Sequence, residues 1–255
     1  MDKLIEKINS NYVITTDDMR NIAEEYVLKH HQEEYFNGVI SNPKSRYAAC
    51  YDYRTNNIVL NDEKIVQNGY RLFDENQKEY HISGRNFTYY LNYYNIYVIY
   101  HELIHLSQQA QFEKMRSNED VFQYLYKLCN RLRRNSVLFY NRNHDIFPME
   151  IDAINRGNIL AYEIINKTNL PRRERNILRL RYYNHILSSY EKSDEGMLIS
   201  PFDRLLDLID EDRTSIMNWV IHADLSKRKR LNYGLSITEE EYKELEETKQ
   251  KILIR

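Results

Sequence analysis

The chain has 255 residues, of which 42% are hydrophobic and 29% are charged, a composition that excludes a fully disordered protein and supports a sizeable core. The formal net charge of -2 at pH 7 excludes a global positive field that would attract nucleic acid or an anionic membrane. Two cysteines, Cys50 and Cys129, exclude a disulfide framework and fit a reducing compartment.

The amino-terminal segment lacks the apolar run of an export signal. Charged residues interrupt the apolar ones throughout residues 1–7, so no continuous apolar segment forms there. The longest apolar stretches, such as residues 97–100, are far shorter than the roughly 20 residues that a membrane-spanning helix needs. We therefore expect a cytoplasmic protein without a membrane partner.

The first elements predicted along the chain are helices. Residues 2–9 have the spacing of a short amphipathic helix. Thr16 is a candidate N-cap for a longer helix that ends near residue 36, because polar oxygens at this position accept from free backbone N–H groups. Gly38 and Pro43 then interrupt the helical pattern.

A β-hairpin is predicted next. Residues 46–53 and 58–61 are rich in aromatic and β-branched side chains on either side of a polar turn. A second strand pair is predicted at residues 70–73 and 80–82.

Helical periodicity returns at about residue 87 and continues through the rest of the chain. After an apolar helix at 97–111, further helices are predicted at residues 121–140, 148–166, 172–192, 201–210, 215–222 and 238–252. With only six glycines and four prolines, the chain is predicted to be α+β and mostly helical. We expect a domain at residues 1–190 and a C-terminal helical extension at residues 191–255.

The helix at 97–111 carries the sequence His-Glu-Leu-Ile-His. His101 and His105 are four residues apart and therefore project from one helix face, where both imidazoles can reach one zinc ion. Glu102 lies beside them and can act as general base toward a water on the metal. A coincidental pair of surface histidines is less favoured, because the surrounding apolar residues predict burial, where unpaired polar groups are costly.

A third ligand must come from another part of the chain. Glu150 lies in the first turn of the helix that Pro148 begins, on the face that carries the apolar stripe. An inward carboxylate needs a partner, and a metal would supply one, although a favourable interaction with the helix dipole is the alternative. Asp152, Asp145 and His144 remain open as other third ligands.

Four residues are candidates for support of the metal or of the transition state. Gln108 shares the face of the two histidines and is a candidate to support the metal ligands, although a polar contact at the end of the helix is equally compatible with the pattern. Tyr140 and His144 precede the third-ligand helix, where a side chain can stabilise an oxyanion, although the pattern favours ordinary polar loop residues over this role. Asp152 completes this set.

The motifs in residues 101–108 and 148–153, together with the hairpin strand at 58–61, resemble the active-site half of gluzincin-like zinc metallopeptidases. The resemblance covers roughly residues 45–165, includes uncharacterised bacterial and phage branches, and extends more distantly to ImmA/IrrE-type peptidases, which cleave repressors inside cells. It implies a zincin-like core with one zinc on His101, His105 and Glu150. Unlike thermolysin-like enzymes, the chain has Ile154 where an aspartate is expected.

The sequence therefore predicts a zinc-dependent metallopeptidase with a polypeptide substrate. One alternative is a zincin-fold protein that has lost activity and serves as a binding module or phage accessory protein. The other is a helical regulator that binds nucleic acid through the arginine-rich residues 172–181. Nearby acidic residues make a solvated or salt-bridged helix the better interpretation of that stretch, so a nucleic-acid partner is not expected.

Overall fold

We describe residues 1–114, 148–187, 191–192 and 198–199 in a computed structural model of the chain. The described helices are α1 (Asp2–Asn9), α2 (Thr16–His30), α3 (Asp62–Tyr80), α4 (Phe87–Lys114), α5 (Pro148–Ile165) and α6 (Arg172–Leu187). The strands are β1 (Gly38–Ser41), β2 (Ala49–Asp52), β3 (Asn57–Leu60), β4 (Glu191–Lys192) and β5 (Leu198–Ile199). The predicted α+β, mostly helical class is confirmed at this level.

The helices at the amino terminus follow the sequence signals closely. Helix α1 has the predicted bounds, and α2 is capped by Thr15, one residue before the predicted cap. Thr15 and Asp18 form a capping box in which each side chain accepts a hydrogen bond from the other residue's backbone N–H. Helix α2 ends earlier than predicted, because His31 adopts a left-handed conformation at φ 53°.

The main sheet has three strands in the order β1-β3-β2. Strands β2 and β3 pair antiparallel, with Tyr51 opposite Ile58, so the predicted hairpin is confirmed. Strand β1 pairs with β3 in parallel, an element that the sequence did not predict. Strand β2 is therefore an edge strand, and its face toward the helices packs against α4.

The predicted strand pair at residues 70–73 and 80–82 is wrong. Helix α3 occupies most of this region and begins at the N-cap Asn61, whose side chain accepts a hydrogen bond from the Lys64 backbone N–H. Helical spacing explains the fold better than local β propensity, because the buried residues recur on one helix face: Ile65, Gly69, Leu72, Phe73 and Asn76.

Helix α4 lies at the centre of the described part of the protein. It contacts α2, α3, α5 and β2, and burial extends around most of its circumference. Its least exposed apolar side chains, together with Ile58 and Leu60 of β3, form much of the core: Tyr90, Tyr93, Ile96, Ile99, Leu103, Ile104 and Leu106. A helix enclosed in this way gives the side chains in its middle well-defined positions.

Two asparagines attach the connection between α1 and α2 to this central helix. Asn92 accepts from the Ile14 backbone N–H at 2.9 Å and donates to the Tyr12 carbonyl at 2.8 Å. Asn95 donates to the Ile14 carbonyl at 3.2 Å. These bonds satisfy backbone groups of a non-helical segment that packs on the core.

The carboxy-terminal prediction is tested only in part. Helix α5 has the predicted start at Pro148, and α6 begins at Arg172 as predicted. The predicted extension of that helix to residue 192 is wrong, because α6 ends at Leu187 and Glu191–Lys192 form strand β4, which pairs with β5. The predicted helices at 121–140, 201–210, 215–222 and 238–252 lie outside the described residues, and the division into two domains stays a prediction. Of the described helices, none combines the length and apolar character needed to cross a membrane.

Candidate metal centre

The two histidines of the motif lie in the second half of α4 and face the start of α5. Their Nε2 atoms are 3.1 Å apart, and their rings meet edge to face with centroids separated by 4.7 Å. The side chains of His101 and His105 are 15% and 19% exposed, so both lie at the edge of the core. The predicted common helix face is confirmed.

Glu150 reaches the same point from α5. Its Oε2 atom lies 3.4 Å from Nε2 of His101 and 3.3 Å from Nε2 of His105. Within the described ranges, these three residues are the group of potential ligands whose atoms converge for a metal ion. The structure thus brings together the three residues that the sequence proposed as ligands.

The spacing of these atoms fits a zinc ion. Zinc binds imidazole nitrogen and carboxylate oxygen at about 2.0 to 2.2 Å, so two ligand atoms on a tetrahedron around it lie about 3.3 to 3.6 Å apart. The three observed separations are 3.1, 3.3 and 3.4 Å. Within the described part of the chain, two histidines and one carboxylate supply three ligands, the number that a catalytic zinc site takes from the protein.

Glu102 lies beside the three potential ligands and outside the converging group. It is 5% exposed, and its Oε2 atom accepts a 2.7 Å hydrogen bond from the backbone N–H of Tyr51. Strand β2 thereby fixes one carboxylate oxygen, while the second retains its capacity to accept a proton. This arrangement suits a general base held next to the metal position.

The protonation of His105 depends on its acidic neighbours. Burial disfavours the charged imidazole, but the negative charge and hydrogen bond of Glu150, with smaller contributions from Glu102 and Gln108, raise the His105 pKa to about 9. The raised pKa favours an imidazolium at His105, paired with Glu150, when no metal is bound. A metal ion must displace this proton to bind.

We predict that zinc binding releases a proton from His105. Between the ordinary histidine pKa of 6.5 and the raised value of about 9, zinc affinity should increase about tenfold per pH unit, and this increase should end above that value. Calorimetric titrations in buffers of different ionisation enthalpy would count the protons released. A zinc affinity independent of pH over this interval would contradict the ion pair.

Two of the four predicted supporting residues lie close behind His105. Gln108 and Asp152 are both 2% exposed and hydrogen-bonded to each other across 2.9 Å. Asp152 is outside the converging group, which argues against its role as third ligand. Tyr140, His144 and the alternative ligand Asp145 lie outside the described residues.

A close approach of α5 to α4 sets the position of Glu150. A Cβ atom added to Gly157 would lie 3.1 Å from the backbone N and 3.3 Å from the Cα of His101. Gly157 and Glu150 are seven residues apart, so about two helical turns place them on the same face of α5. Because Gly157 has no side chain, α5, which carries Glu150, can contact the α4 backbone at His101.

Gly157→Ala is expected to weaken zinc binding and to destabilise the protein by about 1 to 3 kcal/mol, because a backbone contact cannot yield as a flexible side chain does. Gly84→Ala is the control, since the nearest atom to its added Cβ is Gln77 Nε2 at 4.0 Å. Zinc competition and thermal unfolding would measure both effects. Wild-type zinc affinity in Gly157→Ala would show that the close contact does not position Glu150.

Tyr97 is a neighbour of the site that the motif analysis missed. Its ring centroid lies 5.8 Å from that of His101, which follows it by one turn on the same helix. Burial, the phenol groups of Tyr94 and Tyr93, and the carboxylates of Glu150 and Glu102 raise the Tyr97 pKa well above its ordinary value. A phenol that stays protonated can donate a hydrogen bond near the metal position. Its position four residues before His101 was the available signal.

The arginine-rich segment of α6 is partly engaged within the protein. Arg173 donates to the Tyr80 carbonyl, and Arg175 donates to the Asn166 carbonyl at 2.8 Å. These contacts join α6 to the end of α3 and to the segment after α5. They give the two arginines a structural role that does not involve a phosphate.

We compared the chain with protein-family models, curated proteins and solved structures, and found no match in any of the three. The resemblance to zinc metallopeptidases therefore depends on the motifs and on the geometry described above.

Proposed function

We propose that the protein is a zinc-dependent metallopeptidase in which His101, His105 and Glu150 bind the metal and Glu102 is the general base. The observation that carries the proposal is the convergence of three ligand atoms, separated by 3.1 to 3.4 Å, beside a carboxylate that is not one of them. A catalytic zinc site takes three ligands from the protein, the number that the described residues bring together.

The proposed reaction divides the work between the metal and the chain. A bound zinc ion supplies Lewis acidity, which makes a water molecule more acidic and polarises the carbonyl of the scissile amide. Glu102 accepts a proton from the attacking water and returns it to the leaving nitrogen. The hydrogen bond from the Tyr51 backbone N–H keeps the Glu102 carboxylate oriented during both transfers.

The geometry supports the enzyme more strongly than an inactive zincin-fold protein. A binding module would require no buried carboxylate next to the ligands, yet Glu102 is 5% exposed and hydrogen-bonded in place. Removing a carboxylate from water costs free energy, and buried ionisable groups of this kind are common where a side chain transfers a proton in catalysis. A polypeptide is the proposed substrate, and a cytoplasmic location is proposed with it.

The first experiment measures zinc and hydrolysis on the full-length chain. We expect one zinc per chain by elemental analysis after expression with added zinc, and its loss in the His101→Ala, His105→Ala double variant. Hydrolysis of a mixed library of quenched fluorescent peptides should disappear with a chelator and return with zinc. Protein that stays metal-free under these conditions would overturn the proposal.

Two other results would favour the alternative functions. Stoichiometric zinc without hydrolysis of any peptide in the library would favour the inactive binding protein. DNA binding that weakens steeply with salt, in a protein without zinc, would favour the nucleic-acid regulator.

A further inference from the structure

A buried chain of hydrogen bonds joins α4 to α5 behind the proposed metal position. Nδ1 of His105 lies 2.9 Å from Oε1 of Gln108, and Nε2 of Gln108 donates to Oδ2 of Asp152 across 2.9 Å. The Arg156 guanidinium lies 3.5 Å from the same Asp152 oxygen, which favours the charged carboxylate. The chain therefore ends on a group that accepts hydrogen bonds and does not donate them.

The Asp152 carboxylate at one end of this chain determines which ring nitrogen of His105 carries the proton at the other end. Because the Asp152 carboxylate accepts, the Gln108 amide must direct its NH₂ group toward it. The amide oxygen then faces His105 and requires a proton on Nδ1. A neutral imidazole with that proton has its lone pair on Nε2, the atom that lies 3.3 Å from Glu150.

We propose that Asp152, acting through Gln108, is a positioning residue that holds His105 in the tautomer whose Nε2 atom binds the metal. This inference rests on the proposed zinc centre and adds the residues that orient one ligand. Such partners of a metal-bound histidine typically contribute roughly 10-fold to 100-fold in metal affinity. The Gln108 amide lies between the two groups, so Asp152 of α5 can orient His105 without contacting it.

The two histidines differ in this support. Nδ1 of His101 is buried and has no hydrogen-bond partner within the described ranges. The backbone of His101 lies against Gly157 of α5, where an added Cβ atom would come within 3.1 Å of the His101 nitrogen. Loss of the Asp152 chain should therefore affect His105 and leave the orientation of the His101 ring unchanged.

Two variants test the proposal by different routes. In Asp152→Asn the new NH₂ group can face the Gln108 oxygen, so that Gln108 reverses and donates to His105 Nδ1, which places the imidazole proton on Nε2. Gln108→Met keeps the side-chain length and removes the connection. We expect zinc affinity, measured by competition with a chromogenic chelator, to fall roughly 10-fold to 100-fold in each variant.

Ser107→Ala is the matched control. Ser107 is buried beside Gln108 on α4, but its hydroxyl bonds to Tyr26 and Gln32 on the side away from the metal position. The control should lose some thermal stability and retain wild-type zinc affinity. If it loses as much affinity as Gln108→Met, general damage to α4 explains the effect and the positioning role is wrong.

Long-range ¹H–¹⁵N correlation spectra of the His105 imidazole supply a readout that does not need zinc. In metal-free wild-type protein, above the pH at which His105 loses its extra proton, we expect the proton on Nδ1, and in Asp152→Asn we expect a shift toward Nε2. A wild-type ring protonated on Nε2 would overturn the proposal. A wild-type ring protonated on Nδ1 in a protein that binds no zinc would support the orienting chain and refute the proposed function.

Discussion

Glu102→Gln is expected to bind zinc as the wild type does and to lose peptide hydrolysis by about 100-fold to 10,000-fold, the range that general-base catalysis contributes. The amide oxygen of glutamine can still accept the hydrogen bond from the Tyr51 backbone N–H, so the side chain keeps its anchor. The amide nitrogen that replaces the other oxygen cannot take a proton from water. Zinc content and initial rates should be measured on the same preparation.

Glu163→Gln is the control for this substitution. Glu163 is an exposed residue of α5, and the same chemical change there should leave both zinc content and rate unaltered. Loss of zinc in Glu102→Gln would make Glu102 a ligand. A wild-type rate in Glu102→Gln would show that the assigned mechanism is wrong.

The sequence predicted the elements whose signals are local. Pro148 marks the start of α5, and the hairpin of β2 and β3 has a short polar turn between β-favouring segments. Strand β1 has no such local signal. Its four residues pair in parallel with strand β3, and the chain between the two strands is long, so no turn sequence marks the pairing. Helix α3 was mistaken for strands because aromatic residues at its surface outweighed the helical spacing of its buried face.

The candidate site was predictable to the extent that helix geometry determines it. The four-residue spacing of His101 and His105 predicts a common face, and the phase of Glu150 predicts an inward carboxylate. The bond from Tyr51 to Glu102 was not predictable, because it joins an edge strand to a helix 51 residues away in sequence. Contacts of this kind follow from the packing of α4 against the sheet.

Gln108 and Asp152 were predicted as individual residues, but their contact was not. Each was a reasonable candidate alone, but the sequence gave no reason to pair them, and Asp152 also remained open as a ligand. The structure gives both residues one role, since Asp152 accepts from Gln108 and lies outside the converging ligand atoms. The distinction between a ligand and a residue that orients a ligand depends on distances of a few ångströms, which helix phase does not provide.

Glu150→Ala should reduce zinc affinity by more than about 100-fold, whereas Asp152→Ala should reduce it by about 10-fold to 100-fold. The first substitution removes one of three ligand atoms and leaves His101 and His105 without the carboxylate that lies 3.4 and 3.3 Å from their Nε2 atoms. The second leaves all three ligands present. Competition with a chromogenic chelator would rank the two variants, and Glu163→Ala on the same helix is the control.

The ranking distinguishes the possible third ligands. A larger loss in Asp152→Ala than in Glu150→Ala would identify Asp152 as the ligand and Glu150 as its neighbour. Wild-type affinity in both variants would move the third ligand outside the described residues, where His144 and Asp145 lie. A crystal structure of the zinc-bound protein gives the direct answer: a Glu150 carboxylate oxygen beyond about 3 Å from the metal, against the 2.0 to 2.2 Å roughly expected, would refute the assignment.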